Sequence, residues 1–93
     1  MSFSQETAVE RAKQDLAHRL GVMEAEIELD SIKEKEFSDM SLGAPVEDEM
    51  AAQMIASGWE ISLKANALTY DYRADRYQIR LHDYEGKNYL IEG

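Results

Sequence analysis

Apolar and polar residues alternate strictly in the second half of the chain, and this alternation predicts short β-strands. Three successive runs place an apolar residue at every second position: Trp59, Ile61, Leu63 and Ala65, then Leu68, Tyr70 and Tyr72, then Tyr77, Ile79 and Leu81. A weaker fourth run has Tyr89 and Ile91 around Leu90. Period-two alternation is typical of a strand with one buried face and one solvated face. The aromatic and β-branched residues on the inward side suit such a surface.

The connections between these runs are short. Asn66 tolerates a positive φ and favours a tight hairpin, while residues 73–76 predict a four-residue turn. The segment 83–87 contains Gly86 and predicts a longer hairpin loop. Strands joined this tightly must be antiparallel, because a parallel pair needs a crossover of about a dozen residues. The second half therefore predicts an antiparallel meander.

The first half begins with a predicted amphipathic helix that runs roughly from Gln5 to Leu20. Ser2 or Ser4 can cap its beginning, and Gly21 suits the left-handed conformation that ends many helices. The apolar residues recur at spacings of three and four and form one stripe: Val9, Ala12, Leu16 and Leu20. We expect this stripe to pack on one face of the meander.

A further strand is predicted over residues 27–37. Ile27 and Leu29 keep period two, but Ile32 breaks the phase, so a single strand requires a bulge near residues 30–31. A helix is the alternative, because the Glu and Lys residues of this segment favour it.

Residues 38–56 are less regular. Residues 38–45 predict a loop that contains the only proline of the chain, Pro45. Residues 46–56 fit either a short helix closed by Gly58 or an extended segment that leads into the next strand. Taken together, the pattern predicts an α+β fold in which an N-terminal amphipathic helix packs on an antiparallel β-meander of four or five strands.

Length and composition agree with one globular domain over residues 1–93. The chain has 93 residues, 44% of them apolar, and no cysteine. No apolar run approaches the roughly 18–20 residues that span a bilayer, and the N-terminal residues lack a signal-peptide pattern. We expect a cytoplasmic protein, although a form from which a signal had been removed would look the same.

The net charge of −9 argues against nucleic-acid and membrane partners. Residues 1–58 contain 13 acidic and 5 basic side chains, so the excess of acid lies mainly in the first half. Binding to nucleic acid depends on neutralising phosphates, and binding to anionic lipid depends on basic residues. Neither fits this composition, and the charge is interpreted as an aid to solubility.

The sequence predicts no catalytic residues, no cofactor and no metal site. His18 and His82 lie on a predicted helix and strand without a nucleophile motif near either, and both are interpreted as surface residues. The carboxylates of residues 47–49 are consecutive, so they point in different directions on a helix, and the spacing of a calcium loop is missing.

Two features indicate a surface for a protein partner. Three arginines fall on or beside the polar face of the meander, and two apolar residues lie in the predicted loop. The candidate partner-binding residues are Met40, Leu42, Arg73, Arg76 and Arg80. The alternatives are cross-strand ion pairs for the arginines and, for Met40 and Leu42 together with Met50 and Met54, packing in the core.

Several short motifs resemble a known family. The loop has Asp39, Ser41, Leu42, Gly43, Ala44 and Pro45, and the following strands have Gly58, Trp59, Ile61, Leu63, Tyr70, Tyr72 and Asp75. This pattern resembles a small, functionally uncharacterised bacterial domain with a Ser-Leu-Gly-Cys-Pro loop, which implies an architecture but no reaction. Ala44 stands where that pattern has cysteine, and a cysteine-free chain fits a reducing compartment. The segment Leu68–Ile91 also resembles the end of some small peptidase inhibitors.

These observations lead to one functional hypothesis and two alternatives. We expect a non-catalytic protein-interaction module, such as an inhibitor or an accessory subunit. One alternative is a small-ligand binder or small enzyme with a pocket between helix and sheet near Trp59 and the tyrosines. The other is a structural homodimer formed edge to edge through an unpaired strand.

Overall fold

A helix packed on a five-stranded antiparallel sheet forms the protein, whose computed structural model describes residues 2–93. The elements in chain order are α1 (Gln5–Leu20), a 3₁₀ turn (Glu24–Glu26), β1 (Glu28–Phe37), β2 (Ala56–Ala65), β3 (Leu68–Ala74), β4 (Ile79–Tyr84) and β5 (Lys87–Glu92). The strands lie in the order of the chain, and each is antiparallel to its neighbour. The predicted fold class and the meander are confirmed.

Both ends of α1 are capped by the residues that flank it. Ser4 is the N-cap, where the Ser4 hydroxyl accepts from the Thr7 amide at 3.2 Å and the Thr7 hydroxyl accepts from the Ser4 amide at 2.8 Å. Gly21 has a φ of +68° and donates to the carbonyl of Ala17. Of the two proposed caps, Ser4 is therefore used.

The core lies between α1 and one face of the sheet. Its fully buried residues are Ala8, Ala12 and Leu16 on the helix and Ile61, Leu63, Tyr72, Ala74, Ile79 and Leu81 on the strands. The Tyr72 hydroxyl donates to the Asp15 carboxylate at 2.7 Å, and the same oxygen accepts from Arg19 at 2.7 Å. Burial and the hydrogen bond to Asp15 raise the pKa of Tyr72, so the phenol stays protonated. Its hydrogen bond connects β3 to α1.

The predicted bulge and the first hairpin are confirmed. Leu29 pairs with Leu63 and Ser31 pairs with Ser62, which leaves Asp30 as the extra residue of β1. Asn66 and Ala67 connect β2 to β3 with φ values of +52° and +66°, as a two-residue turn with positive φ at both positions requires.

Residues 46–55 form neither a helix nor a strand, so the short helix closed by Gly58 is wrong. A turn at residues 47–48 and a bend at residues 53–54 interrupt otherwise irregular backbone before Ala56, where β2 begins, and Asp48 has a φ of +64° that a helix does not allow. Gly58 lies inside β2, where a Cβ would stand 2.1 Å from the Ala74 carbonyl oxygen. Met50 is 98% exposed and Met54 is also exposed, so neither fills the core.

The last two connections differ slightly from the prediction. The β3–β4 turn covers residues 75–78 rather than 73–76, because the Asp75 carboxylate accepts from the amides of Tyr77 and Gln78. Tyr77 is therefore 65% exposed rather than inward-facing, and Leu68 at the first hairpin is exposed as well. The β4–β5 turn needs only residues 85–86, both with positive φ.

Candidate functional site

The sheet face opposite α1 is covered by residues 38–49, here called the covering loop. Its backbone carbonyls accept hydrogen bonds from side chains of the sheet. The contacts are Arg73 Nη1 to Leu42 O (3.1 Å) and Gly43 O (3.0 Å), Gln78 Nε2 to Met40 O (2.6 Å), Arg80 Nη1 to Ala44 O (3.1 Å) and Asn88 Nδ2 to Pro45 O (2.8 Å). The loop is thus held along its length by three neighbouring strands.

One ion pair strengthens this attachment. The guanidinium of Arg80, which is almost fully buried, donates Nη1–H to Glu49 Oε1 at 2.6 Å and Nη2–H to Glu49 Oε2 at 2.5 Å. The Arg80 hydrogen bonds lower the pKa of Glu49, so the carboxylate stays ionised near neutral pH. Such a two-pronged contact fixes orientation as well as charge.

Four of the five residues predicted to meet a partner are engaged within the chain. Within the covering loop, Leu42 is fully buried and Met40 is half-buried. On the sheet beneath it, Arg80 is 3% exposed and Arg73 is half-buried. The predicted partner surface is therefore not open at Arg73 and Arg80, because both guanidinium groups bind the loop's own carbonyls. The alternative of a cross-strand ion pair holds for Arg73, whose Nη2 lies 3.9 Å from Glu60 on β2. Only Arg76 of this set is exposed.

Ser62, Asp71 and His82 form a row across β2, β3 and β4. Asp71 is the register partner of both Ser62 and His82, so the carboxylate lies between the hydroxyl and the imidazole. The His82 ring is 3.1 Å from Asp71, and the Ser62 hydroxyl donates to Asp30 at 3.1 Å. A hydrolytic triad needs the histidine beside the serine, and this order does not provide that contact.

β1 forms the longer of the two edges of the sheet, and β5 forms the other. β1 has ten residues and pairs only with β2, so its outer backbone groups face away from the sheet. An edge of this length can pair with another strand, and exposed charges and bulges restrict which strands can do so. Residues 33–36 are alternately Lys and Glu, and all four are exposed.

The register places the charges of β1 on opposite faces. Glu34 pairs with Trp59 and Ile32 pairs with Ile61, which belongs to the core under α1. Directly opposed residues of an antiparallel pair share a face, so Ile32, Glu34 and Glu36 lie on the helix side. Lys33 and Lys35 lie on the other side, where Lys35 Nζ is 3.2 Å from Glu60.

Two grooves follow the helix side of β1. The first, the Trp59 groove, has a volume of about 460 Å³ and is lined by Glu34, Lys35, Glu36, Ser57, Gly58, Trp59 and Arg76. Trp59 forms its half-buried middle, with the glutamates of β1 on one side and Arg76 of the β3–β4 turn on the other.

The second, the Val9 groove, has a volume of about 430 Å³ and lies between α1 and β1. It is lined by Gln5, Glu6, Val9, Leu29 and Ile32. Leu29 is 42% exposed, so the helix does not fully cover β1 and an apolar strip stays open beside the edge. The edge strand and the two grooves together are the candidate functional site.

Sequence reasoning identified Arg76 and Trp59 but missed the glutamates and lysines of β1. A signal was present, since alternating charges mark strands that lie at the edge of a sheet. The alternating charges identify a binding edge only if β1 lies at the edge of the sheet. The order of the strands determines this position, and the sequence does not give that order directly.

Within residues 2–93, no group of three or more His, Cys, Asp or Glu side chains could hold a metal ion. In the same part of the chain, no helix has the length and apolar character needed to cross a bilayer.

A family model for a domain of unknown function, DUF8738, matches residues 9–82, and the chain therefore belongs to this family. The matched region includes β1, both grooves apart from the first turn of α1, and the covering loop. A search among curated proteins gave no match, and neither did a comparison with solved structures.

Proposed function

We propose that this member of the DUF8738 family is a non-catalytic protein-interaction module that binds an extended segment of a partner protein along β1. The observation that supports it is the ten-residue edge strand with a groove at each end of its helix side. Adding a strand to an exposed edge gives affinity through backbone hydrogen bonds, and grooves for alternate side chains give specificity.

The rest of the surface supports the choice of this edge. The face opposite α1 is occupied by the covering loop, and its arginines bind loop carbonyls and Glu49. Within residues 2–93, no ion pair involves Lys33, Glu34 or Glu36, so these side chains are available to a partner. An inhibitor or an accessory subunit would both use such a surface, and the cysteine-free sequence favours a cytoplasmic partner.

Site-specific photo-crosslinking in the native host tests the proposal. A benzoylphenylalanine at position 34 should form a discrete adduct with a partner protein, because this side chain projects beside the proposed added strand. The matched control carries the same group at Gln14, an exposed position on α1. Adducts of equal yield at both positions, or no adduct at position 34, would rule out β1 as the binding edge.

A further inference from the structure

The charge pattern of β1 identifies the kind of segment it receives. We infer that the partner segment runs antiparallel to β1, the direction that is more stable per residue, with basic residues opposite Glu34 and Glu36, acidic residues opposite Lys33 and Lys35, and an apolar residue opposite Ile32. This inference rests on the proposed function and deepens it by assigning the chemistry of the partner.

The two faces of β1 carry opposite charges. Glu34 and Glu36 share the helix side of β1, and Lys33 and Lys35 share the other side. A side chain directly opposite each of these residues lies on the same face as that residue and within about 5.5 Å between Cβ atoms. Opposite charges at this distance stabilise a strand pair, and like charges destabilise it. The favoured segment therefore reads Lys-Glu-Lys-Glu-apolar from its N-terminus, with Arg equivalent to Lys.

The same geometry disfavours a second copy of this chain as the partner. Two identical antiparallel edge strands are related by a two-fold axis perpendicular to the sheet, which keeps each side chain on its own face. Residues of one face must then oppose residues of the same face. One allowed register places Glu34 opposite Glu34 and Lys33 opposite Lys35, and the next places Lys35 opposite Lys35 and Glu34 opposite Glu36. Like charges therefore meet on both faces, and the homodimer through this edge is disfavoured.

The surroundings of β1 agree with the inferred order of residues. The apolar residue opposite Ile32 would lie over the Val9 groove, next to Leu29. The basic residues opposite Glu34 and Glu36 would lie at the β1 side of the Trp59 groove. Arg76 belongs to the β3–β4 turn, so β2 separates it within the sheet from the added strand.

The test compares two synthetic peptides of identical composition and net charge. The in-phase peptide has the core Lys-Glu-Lys-Glu-Val and the reversed-phase peptide has the core Glu-Lys-Glu-Lys-Val, each flanked by two threonines at either end. Amide chemical shifts of the isotope-labelled protein report both affinity and location. We expect the in-phase peptide to bind about tenfold more tightly, with the largest shifts at residues 31–37.

A charge-swapped protein provides the matched control. The variant K33E/E34K/K35E/E36K keeps the net charge and should reverse the preference of the protein for the two peptides. If this variant loses its native circular dichroism spectrum, the milder variant E34Q/E36Q replaces it and should reduce the preference for the in-phase peptide severalfold.

Equal binding of both peptides, binding of neither, or an unchanged preference in the folded variants would overturn the inferred partner chemistry. These results leave the proposed function standing if the crosslinker at position 34 captures a protein. A missing adduct at position 34 would instead reject the proposed function itself, so the two failures are distinguishable.

Discussion

Arg80 holds Glu49 with both terminal nitrogens of its guanidinium group, and this contact joins the covering loop to β4. The arginine is almost fully buried and also donates Nε–H to Gln78 Oε1 at 2.7 Å, which fixes the direction of its side chain. A loop without regular hydrogen bonding is thus held in place by a charge from β4. β1, at the edge of the sheet away from β4 and β5, is the longer of its two edges.

Glu49→Gln should destabilise the protein by about 1–3 kcal/mol, because it replaces a charge-assisted contact of a buried arginine with a neutral one. The free energy of unfolding in urea measures the effect. The control is Glu47→Gln, which removes an exposed carboxylate two residues earlier and should change stability by less than about 0.5 kcal/mol. Equal effects of the two substitutions would show that the Arg80–Glu49 pair does not anchor the loop.

Acid should weaken the same attachment. Arg80 holds the pKa of Glu49 below its usual value of 4.5. A carboxylate whose pKa is lowered in the folded state contributes stability that is fully present above its unfolded pKa and is lost as pH falls through the folded pKa. We expect the urea midpoint to fall more between about pH 7 and about pH 3 in the wild type than in Glu49→Gln. A parallel fall in both proteins would contradict this assignment.

Gly58→Ala should disrupt the sheet at the Trp59 groove. The added Cβ would stand 2.1 Å from the Ala74 carbonyl oxygen and 3.1 Å from Asp75 Cα, so the backbones of β2 and β3 must separate. Because neither neighbour is a flexible side chain, we expect a loss of about 3 kcal/mol or more in unfolding free energy. Ser57→Ala, at the exposed neighbouring position, is the control and should stay close to the wild type. A well-folded Gly58→Ala protein would refute the close approach of the two strands.

Tyr72→Phe should cost about 1–3 kcal/mol, because it removes a buried hydrogen bond to a carboxylate while it keeps the ring. Asp15 would keep only its contact with Arg19. Thermal unfolding of the variant, beside Tyr77→Phe at the exposed turn position, measures the difference. A stability equal to that of Tyr77→Phe would mean that the hydroxyl of Tyr72 adds nothing to the attachment of α1.

The alternation of apolar residues was sufficient to predict the meander, because one face of each strand is buried under α1. It correctly located Ile61, Leu63 and Tyr72 in the core and required the bulge at Asp30. The same reasoning treated the other face as open, since polar residues there look solvated. That error has a physical cause, because Arg73 binds backbone carbonyls of the covering loop. Every residue carries a backbone carbonyl, so the sequence does not indicate which carbonyls accept such hydrogen bonds.

The candidate site was harder to predict than the fold. Met50 and Met54 repeat at helical spacing, but the anchoring of Glu49 and the positive φ of Asp48 prevent a helix, so the two methionines stay exposed. In the sequence, the Glu and Lys residues at positions 33–36 counted only as residues that also favour a helix. These charges can select a pairing strand only because β1 lies at the edge of the sheet, and that position depends on strand pairings between distant parts of the chain.

Hydrogen–deuterium exchange on the protein, alone and bound to the partner captured by the crosslinker at position 34, tests the central claim most directly. An added strand would engage the outer backbone amides of β1, which have no partner strand in the free protein. We predict slower exchange across Glu28–Phe37 in the complex, with the covering loop unchanged. Protection confined to the covering loop or to β5, with β1 exchanging as it does in the free protein, would contradict the account.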